Sequence, residues 1–146
     1  MTVQPALASA LLAEDAFYRA FEAADPIAMM RVWDSAESIT CVHPFGPILV
    51  GVTAVGDSWR SIFRQQVACR VEIDRVSIVN TDDLAVHVVR ENILVPIQQR
   101  RFAPVLATNI YRRFGMEWRM VLHHASPSPP QVETASQPDV PRPTRH

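Results

Sequence analysis

The stretch that most constrains this chain is residues 107–126, ATNIYRRFGMEWRMVLHHAS. Two runs of alternating apolar and polar residues flank a turn centred on Gly115, a pattern that predicts a β-hairpin. Side chains in an extended strand alternate between faces. Trp118, Met120, Leu122, His124 and Ser126 are therefore expected on one face, and Arg119, Val121, His123 and Ala125 on the other. A face of Trp, Met and Leu that ends in His and Ser is a core floor with a polar lip, the kind of surface on which small ligands sit. On this reading His124 looks inward.

The preceding residues supply elements to cover that floor. Residues 6–24 predict a helix, because Leu7, Ala10, Leu11, Phe17, Tyr18 and Phe21 recur at three- and four-residue steps. Glu14 falls in the middle of this stripe, where a carboxylate must be paired, reach water or occupy a pocket with a raised pKa. Asp25-Pro26 reads as a helix start, with Asp as N-cap and Pro at the first helical position. The short second helix runs to about Asp34 and buries some of Ile27, Met30 and Trp33. Residues 38–43 predict a strand stopped by Pro44 and Gly46, and residues 48–50 another. Residues 52–66 predict a third helix with Val52, Val55, Trp59, Ile62 and Phe63 on one face, and Gly56 marks close packing within it. Four β-runs follow, at 68–80, 84–96, 100–114 and 117–126, with Thr81-Asp82-Asp83 as a turn and Pro96 and Pro104 near strand ends. Helices first and an antiparallel meander afterwards define an α+β layout.

With 146 residues, 48% of them hydrophobic, the chain can build one domain with a real core, placed at residues 1–126. Residues 127–146 hold six of the twelve prolines and no aromatic residue, and read as an extended tail unable to offset its ordering entropy. A net charge of −1 without a basic block argues against a nucleic-acid partner. No apolar run approaches the roughly 20 residues needed to cross a bilayer. The N-terminus lacks a basic start and reads as helix, not signal peptide. Cys41 and Cys69 are too few for a disulfide framework, so reduced thiols and a cytoplasmic location are expected.

The order of these features resembles the NTF2-like superfamily, and within it the SnoaL-like and ketosteroid-isomerase-like branch. The features are helix one, Asp25-Pro26, a helix with Trp33, a strand ending at His43-Pro44, Gly51, a helix with Trp59, and a meander ending in Trp118 and His123-His124-Ala125-Ser126. The resemblance covers residues 6–126. It implies a cystatin-like α+β cone with a pocket between helices and a strongly curved sheet, and a homodimer formed through the outer sheet face. In the ketosteroid isomerases, an Asp before a Pro at the end of the first strand is the base, and a Tyr of helix one serves the oxyanion. The matching positions here are His43-Pro44 and Phe17. Tyr18 stands next to Phe17 but is turned about 100° around the helix. Steroid isomerase chemistry is therefore not implied.

His43 is the leading acid/base candidate. It lies at a strand end before a Pro-Gly loop, and an imidazole titrates near neutrality. Phe17, Tyr18, Trp33 and Trp59 are expected as aromatic walls, with Glu14, Asn109 and His124 as polar ligand contacts. Arg90 and Glu91 are expected at solvated positions or dimer rims. A histidine-based metal centre is set aside because His123 and His124, as strand neighbours, face opposite ways. No motif calls for a cofactor. Two functions remain open, beside a purely structural dimer of the family. One is a cofactor-free lyase, isomerase or cyclase that takes a small hydrophobic molecule and uses His43, oriented by Glu14 or His124. The other is a non-catalytic ligand-binding or dimeric association module.

Overall fold

The computed structural model describes residues 7–129. The expectations for residues 1–6 and for most of the proline-rich tail, 130–146, lie outside the described residues.

Among the described residues, three α-helices pack on one sheet. Helix α1 (Ala10–Ala23) starts where the Ser9 side chain accepts a hydrogen bond from the Leu12 amide, and it ends at Ala24 in the left-handed conformation. Helix α2 (Pro26–Val32) is capped as expected, with Asp25 accepting from the Ile27 and Ala28 amides. Trp33 follows it in extended backbone, so this helix ends short of Asp34. After strands β1 (Thr40–Val42) and β2 (Ile48–Val50), helix α3 (Val52–Gln65) buries Val55, Trp59 and Phe63. The meander consists of β3 (Arg70–Asn80), β4 (Leu84–Val95), β5 (Arg100–Arg101), β6 (Val105–Phe114) and β7 (Glu117–Pro127). The run expected at 100–114 is interrupted at Phe102-Ala103-Pro104, where proline cannot donate to the ladder.

The sheet order is β2-β1-β7-β6-β4-β3, with β5 also on β4. All pairs are antiparallel except β1 with β7, so the sheet is mixed and not the purely antiparallel meander expected. The tail's first residues belong to it: β7 includes Pro127, and the Ser128 amide donates to the Pro104 carbonyl at 3.1 Å.

Two irregularities decide which side chains face the helices. The register shifts between Arg75 and Ser77 in β3, and Val121 of β7 has no partner, because Met120 pairs with Tyr111 and Leu122 with Ile110. An unpaired extra residue is a β-bulge, and it reverses the alternation beyond it. Met120 is therefore buried, and past the bulge His123 and Ala125 are buried while His124 and Ser126 are exposed. The expectation that His124 faces inward is thus corrected, because a strict two-residue period does not survive the bulge.

Cross-strand registers then give the inner face in rows. One runs Asn80, Ala85, Tyr111, Met120; the next runs Ile78, His87, Asn109, His123, Cys41, Leu49. Beyond these come Arg75, Val89, Ala107, Ala125, and finally Ile73, Glu91, Val105. Helix α1 covers this face with Ala13, Phe17 and Tyr18, and Trp33 and Trp59 complete the core.

Candidate functional site

The second of those rows is unusual because it places three polar residues, His87, Asn109 and His123, side by side in a core. All three are at most 2% exposed. Buried polar groups must be hydrogen-bonded, and α1 supplies the partners. The Tyr18 hydroxyl donates to Glu91 Oε2 at 2.6 Å and accepts from Asn109 Nδ2 at 2.8 Å. Asn109 Oδ1 accepts from His123 Nδ1 at 2.6 Å. One directed chain therefore runs from His123 through Asn109 and Tyr18 to Glu91. Beside it, Glu14 Oε2 lies 2.7 Å from His87 Nδ1. Its Oε1 receives Arg75 through Nε at 2.8 Å and through a terminal nitrogen at 2.6 Å.

The two buried carboxyls are pushed in opposite directions. Burial alone would raise Glu14, but hydrogen bonds and charge from His87 and Arg75 outweigh it and hold the group below its ordinary 4.5. Glu91 has no cation within salt-bridge distance among the described residues. Burial raises it to about 7, against only the Tyr18 hydrogen bond. Burial and the neighbouring Glu91 also raise the Tyr18 phenol well above 10. Burial, with His43 and His124 nearby, depresses His123 to about 3 and keeps it neutral. Among the described residues, four buried side-chain polar atoms have no hydrogen-bond partner: Trp33 Nε1, Trp59 Nε1, His87 Nε2 and Tyr111 Oη.

An open cleft of about 490 Å³ lies between α1 and β3, with Glu14, Tyr18, Val71, Ile73 and Arg75 among its walls and Asp15, Arg19, Glu22, Arg70 and Glu72 lending it charge. Glu14 and Tyr18, one from each hydrogen-bonded group, thus lie in the wall of the same cleft, each only 1% exposed. Arg75 lies across Glu14 with 47% of its side chain exposed.

The sequence candidates separate. Glu14 and Tyr18 share one cleft wall, whereas Asn109, expected as a ligand contact, is fully buried and connects to that wall only through its hydrogen bond to Tyr18. Phe17, Trp33 and Trp59, expected as ligand-facing walls, are packed core residues at 3% exposure or less. Phe17 is the hub, edge-on to Tyr18 and Trp59 and 5.0 Å from the His123 ring. His43 is half-buried at the end of β1, its ring 4.7 Å from that of Trp59 and 6.3 Å from that of His123. Its Nε2 lies 2.9 Å from Ser58 Oγ, whose single proton is directed to the Val55 carbonyl at 2.6 Å. His43 Nε2 is therefore the donor, and Nδ1 keeps its lone pair. Burial lowers the His43 pKa, which favours this neutral form. Its orienting partner is Ser58. Glu14 is engaged with Arg75 and His87, and His124 is on the other face of the sheet.

Glu91, His87, Arg75 and Ser58 escaped the sequence reading. Glu91, expected at a solvated position or a dimer rim, is 3% exposed, because its parity in β4 is that of Ala85, His87 and Val89, the inner set. Both parities of β4 carry valines, so alternation alone does not separate them. The usable signal was register: with β4 and β6 aligned, His87 stands opposite Asn109. No group of three or more His, Cys, Asp or Glu side chains converges on a metal position among the described residues.

The chain belongs to the SnoaL-like domain family, whose model matches residues 12–130. Its structure is similar to that of a Thiobacillus denitrificans protein provisionally named a calcium/calmodulin-dependent protein kinase type II association domain, with a TM-score of 0.82 and 38% identity over 86% of this chain and all of that one. It is also similar to a provisionally named dehydratase of the NTF2-like family from Streptomyces avermitilis, with a TM-score of 0.69 and 31% identity over 80% of this chain and 92% of that one. A ketosteroid isomerase-like protein from Erwinia carotovora shares the fold, with a TM-score of 0.65 at 18% identity over 85% of this chain and 97% of that one. In sequence, the chain is 27% identical over 107 residues to the F-box protein SKIP8 of Arabidopsis thaliana. The match takes in 68% of this chain and spans only 41% of that protein's length.

Proposed function

We propose that the chain is a cofactor-free proton-transfer enzyme of the lyase, isomerase or cyclase kind, acting on a small carbonyl or hydroxyl compound. The observation that carries this reading is the divergence of Glu14, in the wall of the cleft, and Glu91, buried behind the cleft residue Tyr18. Two carboxyls driven apart in pKa take separate roles, one staying ionised and the other exchanging a proton near neutrality. Here Glu14, fixed by Arg75 and His87, is the standing negative charge. Tyr18, buried in the cleft wall, is the group assigned to the ligand, and Glu91 behind it sets its proton. When Glu91 is protonated its carboxyl can donate to Tyr18 Oη, and the phenol proton is then free to stabilise an oxyanion that develops on the ligand. The charged rim of the cleft argues for a ligand with polar groups, in place of the mostly apolar one expected from the sequence. His43 stays in the proposal as a second acid/base candidate, because its free Nδ1 lies at the His123 end of the same chain. The likeness to the Streptomyces protein, by its name, supports a dehydration among these reactions. Two unpaired cysteines fit a reducing compartment such as the cytoplasm.

The test is proton exchange in heavy water over a panel of small ketones and β-hydroxy carbonyl compounds, followed by NMR. Wild type is expected to exchange at least one of them with an inflection near pH 7. Tyr18→Phe is expected to lose about 100-fold in rate, and Glu91→Gln to lose the inflection. Exchange that survives Tyr18→Phe and vanishes in His43→Ala would move the reacting end to His43. Exchange indifferent to all three variants would remove the reading.

A second reading, an association module, is favoured by the outer sheet face. Val79, Val86, Ile110, Leu122, Thr40 and Val50 form one continuous cross-strand row there, and Val88, Thr108, Val42 and Ile48 contribute to the next. Val79, Val50 and Ile48 are 56–72% exposed. An apolar face of this extent suits a homodimer, and the name of the Thiobacillus protein points the same way. Sedimentation is expected to give a dimer that Ile110→Arg converts to a monomer. A monomeric wild type at micromolar concentration would refute the pairing.

A further inference from the structure

Away from the α1–β3 cleft, three depressions adjoin around the start of β3 and the end of β4. An apolar groove of about 290 Å³ is walled by Phe21, Val67, Cys69, Ile93, Val95 and Phe102, with Gln66 and Gln98 at its rim. It shares Val67 and Cys69 with a second apolar groove of about 490 Å³, which also takes in Ala68, Pro96, Ile97 and Arg70. That groove shares Arg70 and Pro96 with a hollow of about 340 Å³ to which Arg100 and Arg101 contribute. None of Arg70, Arg100 and Arg101 has a carboxylate within 4.0 Å among the described residues. Glu72 also lines the hollow, so three cations face one anion there. The apolar and basic parts are joined physically, because the Arg100 guanidinium lies 4.5 Å from the centroid of the Phe102 ring.

This juxtaposition has a definite chemical complement. Exposed apolar grooves attract apolar chains, while unpaired arginines present planar donor forks that match carboxylate and phosphate. We infer that these adjoining depressions form a binding site for an anion-headed apolar chain, with the chain in the Cys69 grooves and the head on Arg70, Arg100 and Arg101. A fatty carboxylate and an alkyl phosphate share this chemistry. The site borders the proton-transfer cleft at Arg70 and Glu72, while its apolar grooves and Arg100 and Arg101 lie outside that cleft.

The experiment is calorimetric titration of the full chain with dodecanoate, dodecyl phosphate, dodecanol and inorganic phosphate, each below its micellar concentration. Either dodecanoate or dodecyl phosphate is expected to bind at least tenfold tighter than dodecanol, and their order identifies the head. Shortening the chain is expected to weaken binding by about fourfold per methylene. The double variant Arg100→Glu with Arg101→Glu is expected to remove the preference over dodecanol. Ile97→Asp is expected to flatten the chain-length dependence. These side chains are exposed, so circular dichroism is expected to be unchanged in the variants. Cys69 gives an independent footprint: bound ligand is expected to slow its alkylation by an N-alkyl maleimide, while Cys41, fully buried, stays unlabelled. Equal affinity for dodecanol, equal affinity for inorganic phosphate, undiminished binding in the charge-reversed variant, or binding to anionic vesicles without binding of the monomeric amphiphiles would each overturn the site.

Discussion

Glu91 and His123 stand at the two ends of one hydrogen-bond chain and tie the fold to pH in opposite senses. Glu91 is raised to about 7 from 4.5, so the native state holds a proton that the unfolded chain releases. Its contribution to stability is present below pH 4.5 and is lost as pH rises through 7. His123 is depressed to about 3 from 6.5, so its contribution is present above pH 6.5 and is lost as pH falls through 3. Between about 4.5 and 6.5 the two slopes offset each other. Glu91→Gln keeps an acceptor for Tyr18 but cannot ionise. Urea titrations are expected to show this variant gaining on wild type between pH 5 and pH 8, by on the order of 1–3 kcal/mol. Tyr18→Phe leaves both Asn109 Nδ2 and Glu91 without a partner and is expected to cost about 1–3 kcal/mol, read by the same titrations at pH 5.

At the scale of the element, the bulge at Val121 is the decisive feature. It separates two adjacent histidines into one structural and one exposed residue, so His123→Ala is expected to cost about 2 kcal/mol and His124→Ala less than about 0.5 kcal/mol by chemical denaturation. Gly56 in α3 gives a contrasting case. A Cβ there would meet only the end of Arg60 at 3.5 Å and Met30 Cε at 3.7 Å, ordinary contacts with flexible side chains. Gly56→Ala is therefore expected to raise stability by up to about 1 kcal/mol, checked by thermal unfolding, and the close packing expected around this glycine is not present. The helices were legible in the sequence because their signals are local, as in the Asp25-Pro26 cap and the apolar stripe of α3. The parallel β1–β7 pair and the bulge were not legible, because both depend on where distant strands meet. Phe45 shows another limit: it occupies a left-handed position at φ 62° in the turn closed by the Gly46 amide and the His43 carbonyl, a place where glycine is the usual resident.

For the whole molecule, the α+β layout followed from the order of helices and strands, and the chain's membership of the SnoaL-like family agrees with it. The site was only half legible. Glu14 and Asn109 stood out as polar residues in apolar runs and Tyr18 as an aromatic wall; the structure hydrogen-bonds Tyr18 to Asn109 and sets Glu14 beside Tyr18 in the cleft wall. Their partners Glu91, His87 and Arg75 are typical of solvated strand positions by type, and become interior only through register. No helix among the described residues is long and apolar enough to cross a membrane. What the fold as a whole accomplishes is to bring α1 onto the inner face of the sheet, so that Glu14 lines a cleft whose wall also holds Tyr18, with Glu91 hydrogen-bonded behind it. The measurement that tests this most directly is a carbon-13 NMR titration of the glutamate side-chain carboxyls, assigned with Glu14→Gln and Glu91→Gln. The expected result is Glu14 titrating below 4.5 and Glu91 near 7, with the Tyr18→Phe variant moving Glu91 further upward. Both carboxyls titrating together near 4.5 would contradict the account.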